Sequence, residues 1–189
     1  NCEMDDVALH RDVVYSVDAE WLPQDAYVRL SQNGRYKGAG WFRFTESLAE
    51  AEVHTAEYGR LRQRMELDAP APTFAAHPVS TDAWQTAAFD KGAGERIQHL
   101  TGCLNPSPLA DGSSGPMLHM TDKHMEHVGA ARIETPAGAF DTEHFRIHPR
   151  DFDTPLEIYV WGEDRVLVRI VWAHLRSRYD LVELETLEG

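Results

Sequence analysis

Apolar and polar residues alternate along much of this chain with the period of two that is typical of β-strands. Residues 25–67 form a predicted meander: DAYVRLS and RYKGAGWFRF flank an Asn33-Gly34 pair, and AEVHTAEYGRLRQRMEL follows as a third strand. Asn-Gly between alternating runs predicts a tight hairpin, because both residues tolerate the positive φ of its turn. Gly38 and Gly40 lie inside the second strand, where glycine is typical of a bulge, a bend or a close backbone approach. The pattern therefore predicts a strongly curved sheet.

The same signature returns after His124. Short runs rich in β-branched and aromatic residues are separated by turn residues: EHVGAARIET, AFDTEHFRIH, LEIYVWG, RVLVRIVWA and YDLVELETL. This spacing is typical of an all-β protein rather than of alternating helices and strands. The best helical candidates are residues 45–52 and 90–100, and both could equally be single turns or strand ends.

The middle of the chain, residues 69–118, is different in kind. Six of the ten prolines lie there, in stretches such as APAPTFAAHPVSTDAW and GCLNPSPLADGSSGPML, so a regular sheet is not expected. Long loops in compact domains are usually functional. We therefore predict one all-β, or β-dominated α+β, domain over residues 1–189. Its strongly curved antiparallel sheet would form a half-barrel, with the Pro/Gly-rich segment across the concave face.

Composition and net charge limit the classes of ligand more than they limit the fold. The 189 residues carry a net charge of −13 and a pI near 5.1, so a nucleic acid or an anionic bilayer would be repelled. Of the 18 cationic residues 15 are arginines, many of them inside strand-like runs. This usage fits either a GC-rich genome or guanidinium groups that hold a carboxylate or polar oxygen of a ligand.

The cysteines and the N-terminus bear on the compartment. Cys2 and Cys103 show neither CxxC nor zinc-type spacing, so no disulfide framework or structural zinc is predicted, and a single bridge between them stays open. No window approaches the roughly 18 apolar residues of a membrane span, and the acidic start NCEMDDVALH lacks the apolar segment of a signal peptide. We therefore expect a cytoplasmic protein, with a signal peptide removed before Asn1 left open.

Faces that carry both aromatic and basic side chains recur in the predicted strands. Alternation brings together, within their strands, eight such residues: Tyr27, Arg29, Trp41, Arg43, His144, Arg146, Tyr159 and Trp161. A sheet that covers a core should have one apolar and one wet face, so mixed faces indicate a concave surface that lines a ligand. The alternative is that these faces are exposed and that the arginines pair with the 31 acidic residues.

A histidine in the middle segment offers a second candidate. In HPVSTDAW, His77 could act as a base whose tautomer is fixed by Asp82, with Trp84 beside the pair as part of a ligand site. The alternative is ordinary turn chemistry, in which a His-Pro step is followed by an aspartate.

The segment HMTDKHMEH, which we assign to a loop ahead of the returning strands, supplies nitrogen and oxygen donors that suit a divalent metal. Its spacing matches no HExxH signature, and strand geometry would place His124 and His127 on opposite faces, so no metal is predicted. His119 is assigned to the ligand site instead. GSSGPM lacks the GxSxG order, and the chain has neither a phosphate-binding glycine loop nor a dinucleotide fingerprint, so no cofactor is expected.

Several motifs occur in the order G-x-WFRF, His-Pro-x-x-x-Asp-x-Trp, NPSP with SGPM, ETPAGAFDTEHFRI and IYVWGEDRVLVRIVW. This order resembles an uncharacterised family of bacterial β-rich proteins. Its closing strands, at residues 135–140 and 161–168, are similar to those of lipoprotein-carrier-like half-barrel domains. The resemblance covers the C-terminal strands and, more loosely, the N-terminal meander, whereas residues 69–118 depart from it. It implies a curved sheet around a hydrophobic ligand or a plugging segment, and no particular reaction.

Together these patterns predict a pocket for a small aromatic or apolar molecule with an oxygen or carboxylate handle. Any chemistry would be cofactor-free proton transfer of lyase, isomerase or hydrolase type. His77, or His144 beside Arg146, would act as general base, and Arg29 or Arg43 would stabilise the developing negative charge. The alternatives are a non-catalytic carrier of a small molecule or lipid, and a structural or interaction domain without a pocket. The expected partners are the ligand and, at most, a second copy in a homodimer.

Overall fold

A computed structural model describes residues 1–77, 79–109, 111–150 and 153–185. Strands make up 57% of the structure and form two six-stranded antiparallel sheets, which confirms the β-dominated fold class. The chain divides into two compact units. Unit 1 comprises Asn1–Ala88 and Leu100–Asp122, and unit 2 comprises Phe89–His99 and Lys123–Gly189. The expectation of a single domain stays a prediction.

The first sheet follows the chain order from β1 to β6. Its strands are β1 Cys2–Met4, β2 Leu9–Val17, β3 Pro23–Gln32, β4 Arg35–Phe44, β5 Leu48–Thr55 and β6 Gly59–Glu66. Asn33 (φ 52°) and Gly34 (φ 68°) form the turn between β3 and β4, which confirms the predicted hairpin. The predicted single third strand is wrong, because residues 56–58 turn the chain between β5 and β6, and Gly59 has a φ of 69°.

Two other elements of this half differ from the sequence-based expectation. The predicted meander omitted β2, in which Arg11 is buried at a position where alternation calls for an apolar residue. Residues 45–52 form a turn and the first half of β5 rather than a helix, since Ala49 and Ala51 are both buried at the two-residue period of a strand. The second helical candidate holds only one short 3-10 turn before the next strand begins.

The buried face of the first sheet packs against the Pro-rich middle segment within unit 1. Phe74, only 1% exposed, has its ring 5.2 Å from that of Phe42 and 4.9 Å from that of Phe44. Its two chain neighbours, Thr73 and Ala75, each form a backbone hydrogen bond of 2.9 Å with Leu104. The predicted Pro/Gly-rich cover therefore exists and is part of the core. The curvature of the sheet beneath it stays a prediction.

The second sheet has the strand order β12-β11-β10-β9-β8-β7. Its strands are β7 Ile97–Asn105, β8 His119–Thr135, β9 Gly138–Pro149, β10 Leu156–Trp161, β11 Val166–Trp172 and β12 Ser177–Asp180. In unit 2 one face of this sheet is apolar and fully packed, with buried Met125, Phe145, Ile158, Val168 and Ile170. The reading of HMTDKHMEH as a loop is wrong, because these residues form the first half of the long strand β8.

The remaining regular structure is short. Single 3-10 turns lie at Asp5–Val7, Val79–Asp82, Trp84–Ala88, Lys91–Ala93 and Ala173–Leu175. Within the described ranges, none of these turns approaches the length and apolar character that crossing a bilayer requires. Cys2 and Cys103 are both free thiols, so the bridge left open by the sequence is not formed.

Candidate functional site

The second sheet presents a mixed face in unit 2, opposite its apolar one. The register pairs His144 with Tyr159 and Arg146 with Glu157 on the adjacent strands β9 and β10. The prediction that His144 and Arg146 share a face is therefore confirmed. His144 is buried, and its ring stacks on that of Tyr159 with centroids 4.3 Å apart and 14° between the planes. This arrangement fixes the orientation of the imidazole.

Glu157 links the two basic residues of this face. One of its oxygens contacts His144 Nε2, and the other accepts a hydrogen bond from Arg146 Nε at 2.8 Å. An ionised carboxylate only accepts hydrogen bonds, so in the neutral imidazole this contact favours the tautomer with its proton on Nε2 and its lone pair on Nδ1. The Glu157 carboxylate in turn raises the pKa of the Arg146 guanidinium, first through its hydrogen bond and then through its charge. Glu157 thus favours one tautomer of His144 and holds the guanidinium of its neighbour Arg146 in place.

A second carboxylate, Glu126 on β8, extends the network. Its Oε1 accepts hydrogen bonds from Arg96 Nε at 3.0 Å and from Arg96 Nη2 at 2.9 Å. Its Oε2 lies 3.4 Å from His148 Nε2 and 3.7 Å from Arg146 Nη1. The Arg146 guanidinium therefore bridges two carboxylates, for which its planar fork of donors is suited. The sequence interpretation missed Glu126 and Arg96 as members of this site because it took the start of β8 for a loop.

The same face becomes apolar toward the β8–β9 turn. Phe140 and Thr142, two and one alternations along β9 from His144, are both buried. The Trp161 ring meets that of Phe140 edge to face, with centroids 5.6 Å apart. Trp161 and Tyr159, which were predicted to share a face, thus belong to one surface with an ionic end and an aromatic end.

We expect the acid stability of unit 2 to depend on Glu126 and on Asp180 in β12. Burial alone would raise the pKa of each carboxyl. For Glu126 the hydrogen bond from His148 and the charges of nearby arginines outweigh the effect of burial. For Asp180 the hydrogen bonds from Arg169 and Arg178 do the same. The pKa of each carboxyl therefore lies below its usual range. Such carboxyls stabilise the fold above their unfolded pKa of about 4, and this contribution is lost as the pH falls through the folded pKa.

The free energy of unfolding, measured by urea denaturation from neutral pH into the acid range, should therefore fall below about pH 4. The fall should be shallower in Glu126→Gln and in Asp180→Asn. Glu163→Gln, at an exposed position in the β10–β11 turn, is the matched control and should keep the wild-type profile. A wild-type slope in both test variants would contradict the assignment.

In unit 1 the exposed face of β2 to β6 carries the other predicted ligand residues. The register aligns its side chains in three rows across the sheet. The rows are Asp12–Arg29–Ala39–His54–Arg60, Val14–Tyr27–Trp41–Glu52–Arg62 and Ser16–Asp25–Arg43–Glu50–Arg64. We call this surface the ladder face. Tyr27 with Arg29, and Trp41 with Arg43, do share a face as predicted.

The ladder face is the exposed side of the sheet. This agrees with the alternative drawn from the sequence in which the mixed faces are exposed and their arginines pair with acidic residues. Trp41 is 61% exposed, and the Tyr27 ring lies 4.9 Å from it. Arg29 pairs with Asp12 at 3.3 Å, and Arg43 lies in register between two carboxylates. The expected enclosure of these four residues is therefore wrong for unit 1, because the apolar partners on their strands, not they, face the core.

A groove of about 1770 Å³ runs beside the ladder face. It is lined by the ends of β3 to β6, including Trp41 and Arg43, and by the chain segment that follows β6. Arg64 and Asp68 are among the polar residues that line it. A concavity is thus present where two predicted ligand residues lie, although it opens to solvent.

The middle segment places His77, Asp82 and Trp84 in unit 1. His77 has a φ of 44°, and its carbonyl oxygen accepts a hydrogen bond from Arg11 Nη1 at 3.3 Å. Asp82 is buried, and its Oδ1 accepts a hydrogen bond from Gln85 Nε2 at 2.6 Å. Such a contact suits a residue that orders a turn.

The Trp84 ring lies in an aromatic cluster, 5.6 Å from that of Tyr15 and 5.6 Å from that of Trp21. Burial raises the pKa of the Tyr15 hydroxyl well above its ordinary value. Trp84 therefore packs with core aromatics of unit 1.

The histidines of β8 are separated by the strand. His119 is half-buried at its first position. His124 is exposed and stacks on His99, whereas the His127 ring packs between Phe89 and Phe145. The prediction that His124 and His127 lie on opposite faces is confirmed. Among the residues that the structure describes, no three side chains of metal-ligand type are grouped to hold an ion.

Arg11 is a polar core residue that the sequence interpretation did not single out. It is 2% exposed, and its guanidinium donates to the carbonyl oxygens of His77 and Gly112. Burial lowers the pKa of this guanidinium, partly offset by the charges of nearby acidic groups. In the described part of the chain its Nε has no partner. Arg11 thus fastens two loops of the middle segment to β2.

Comparison of the chain with protein-family models, with curated proteins and with solved structures found no match. The resemblance to half-barrel carrier domains therefore stays a prediction.

Proposed function

We propose that unit 2 binds a small molecule with an aromatic or apolar body and a carboxylate or other oxygen handle, and acts on it by cofactor-free proton transfer. The observation that carries this proposal is the buried imidazole of His144, held between the Glu157 carboxylate and the Tyr159 ring. A base that is shielded from water and fixed in one tautomer is what general-base catalysis requires.

His144 Nδ1 would accept the proton. As it does so, the ring becomes an imidazolium whose positive charge lies against the Glu157 carboxylate. The reaction class is proton abstraction from a carbon next to the oxygen handle, as in an isomerase or a lyase. Glu157 is a positioning residue in this scheme, and His144 is the catalytic residue.

Arg146 would bind the oxygen handle. The carboxylates of Glu126 and Glu157 fix its guanidinium, yet 34% of its side chain remains exposed. A guanidinium held in this way can still accept an additional oxygen with little loss of side-chain entropy. The aromatic end of the same face, at Phe140 and Trp161, would contact the apolar body of the ligand.

Long-range contacts within unit 2 support a sheet that bends over this face. Arg169 Nη2 on β11 donates to the carbonyl oxygen of Glu134 on β8 at 2.8 Å, although β9 and β10 lie between these strands. In a flat sheet three strand spacings would separate them by about 14 Å. A backbone hydrogen bond of 3.4 Å also joins Ala137, in the β8–β9 turn, to Leu181, which follows β12. We infer that the mixed face is concave and can enclose a small ligand.

The test uses two probes with an aromatic body and a carboxylate. Cinnamate should bind and shift the amide NMR signals of His144, Arg146 and Tyr159. Phenylpyruvate should exchange its benzylic hydrogen with deuterium from the solvent faster in the presence of the protein. His144→Gln should reduce the catalysed exchange by about a hundredfold, whereas His124→Gln, at an exposed position of β8 outside this network, should change it little.

The outcomes separate the alternatives. Binding of cinnamate without any catalysed exchange would contradict the catalytic part and favour the non-catalytic carrier. Binding of neither probe at this face would overturn the proposal as a whole. If His144→Gln unfolds the protein, Glu157→Gln retains the shape of the side chain and an oxygen that can accept from Arg146, so it should slow exchange by a larger factor than it weakens cinnamate binding.

A further inference from the structure

The ladder face of unit 1 exposes aromatic surface that packs against nothing in the described chain. Its central row runs Val14, Tyr27, Trp41, with Val14 65% and Trp41 61% exposed. The rings of Tyr27 and Trp41 are 4.9 Å apart and inclined by 47°. An exposed tryptophan supported by a second ring offers a rigid apolar platform at little entropic cost.

The charges around this platform are paired with each other. Five arginines and four carboxylates lie in the three rows, so the face is close to neutral in a chain whose net charge is −13. Glu52 contacts both Arg60 and Arg62, and Glu50 lies 3.9 Å from Arg64. The hydrogen bond and charge of Arg62 lower the pKa of Glu52, so its carboxylate is ionised at neutral pH. Each group keeps unused donors or acceptors that point to solvent.

The groove beside the platform is larger than a site for one small molecule. Its volume of about 1770 Å³ exceeds the roughly 300–1,000 Å³ of typical small-ligand pockets. Trp41, Arg43, Glu52 and Arg62 line it, so the platform and the paired charges belong to one continuous surface. The groove opens to solvent and has room for a ligand made of several linked units.

We propose that the ladder face binds a neutral oligosaccharide, with one sugar ring stacked on Trp41 and neighbouring hydroxyl groups bonded to the paired arginines and carboxylates. A pyranose ring has an apolar C–H face that matches an aromatic ring. Each hydroxyl group of the sugar can both donate and accept a hydrogen bond. It can therefore accept from a guanidinium and donate to a neighbouring carboxylate of the same row. The site is independent of the His144 face and of the reaction proposed there.

The charge pattern argues against the other ligand classes. A polyanion would need unpaired cationic groups, but the carboxylates of the same rows would repel it. A small aromatic acid would fill only part of the groove. A neutral chain of several sugar units satisfies the size of the groove, the exposed ring and the balanced charge together.

Isothermal titration of the whole chain with cellohexaose, maltohexaose, xylohexaose and chitohexaose tests the proposal. At least one neutral hexasaccharide should bind, and Trp41→Ala should weaken it by about tenfold or more, while Trp41→Phe keeps most of the affinity. Tyr58→Ala is the matched control, an aromatic residue that is 59% exposed in the β5–β6 turn, outside the three rows and outside the lining of the groove. It should bind as the wild type does.

Three results would overturn the inference. They are the absence of binding to every neutral hexasaccharide, binding that Trp41→Ala leaves unchanged, and tighter binding of acidic hexagalacturonate than of any neutral chain. Far-UV circular dichroism and a thermal scan verify that each variant is folded. Arg62→Gln provides a second variant at an exposed position and should weaken the same hexasaccharide, through a lost hydrogen-bond donor.

Discussion

Replacing Phe74 with alanine should destabilise unit 1 by about 3–5 kcal/mol. The ring is 1% exposed and packs against three other aromatic rings, those of Tyr15, Phe42 and Phe44. Its removal leaves a cavity in the cluster that the sheet and the Pro-rich segment share. Urea unfolding followed by tryptophan fluorescence and by circular dichroism measures the change.

The matched control for this variant is Leu109→Ala. Leu109 lies in the same Pro-rich region but is 50% exposed, so its truncation should cost no more than about 0.5 kcal/mol. A similar small effect for both variants would show that the segment carrying Phe74 is a loose cover rather than part of the core. The comparison therefore tests the packing of the middle segment directly.

Gly40→Ala should destabilise unit 1 by about 1–3 kcal/mol although it adds a single methyl group. Gly40 lies opposite Val53 in the β4–β5 register, and both face the core. A Cβ at position 40 would meet the Val53 side chain, with the Val53 Cβ at 3.0 Å and the Val53 Cα at 3.3 Å. The nearest atoms are short-branched side chain and backbone, which cannot move aside without shifting the sheet.

A double-mutant cycle isolates this clash. Val53→Ala removes the branched methyls, so Gly40→Ala should cost about 1 kcal/mol less in the Val53→Ala background than in the wild type. Additive effects of the two substitutions would mean that the strain lies elsewhere. Ala39→Val, one residue along the strand on the ladder face, enlarges a side chain toward solvent and should have little effect on stability.

The sequence alone predicted much of the local structure of the sheets. The Asn33-Gly34 pair defined a hairpin, because its turn depends on two adjacent residues. Gly38 and Gly40 were expected to mark a bulge or a close approach. The register does shift opposite Gly38, where Pro116 would contact an added Cβ at 2.6 Å. His144 and Arg146 were placed on one face because strand alternation depends on nothing beyond the strand itself.

Features that depend on packing between distant segments could not be predicted in this way. Alternation showed that Trp41 and Arg43 share a face, but it could not say that their face is the exposed one. That outcome depends on Phe74, which comes from an irregular segment and covers the opposite face. Likewise Glu126 joined His144 and Arg146 only once β8 was known to pair with β9. Alternation within one strand shows which residues share a face, but it does not show which residues of a neighbouring strand lie beside them.

The three arginines of β6 have a consequence for the solubility of the protein. β6 is an edge strand of the first sheet, and the side chains of Arg60, Arg62 and Arg64 are all more than half exposed. If two copies of the chain approached edge to edge, these like charges would meet and oppose the formation of a continuous intermolecular sheet. On the inner side of the sheet, the Gln63 side chain bonds to the backbone of Leu118. Its Nε2 donates to the Leu118 carbonyl oxygen at 2.9 Å, and its Oε1 accepts from the Leu118 N–H at 2.7 Å. Charged side chains on one face of β6 and a side-chain contact on the other thus both oppose strand addition at this edge.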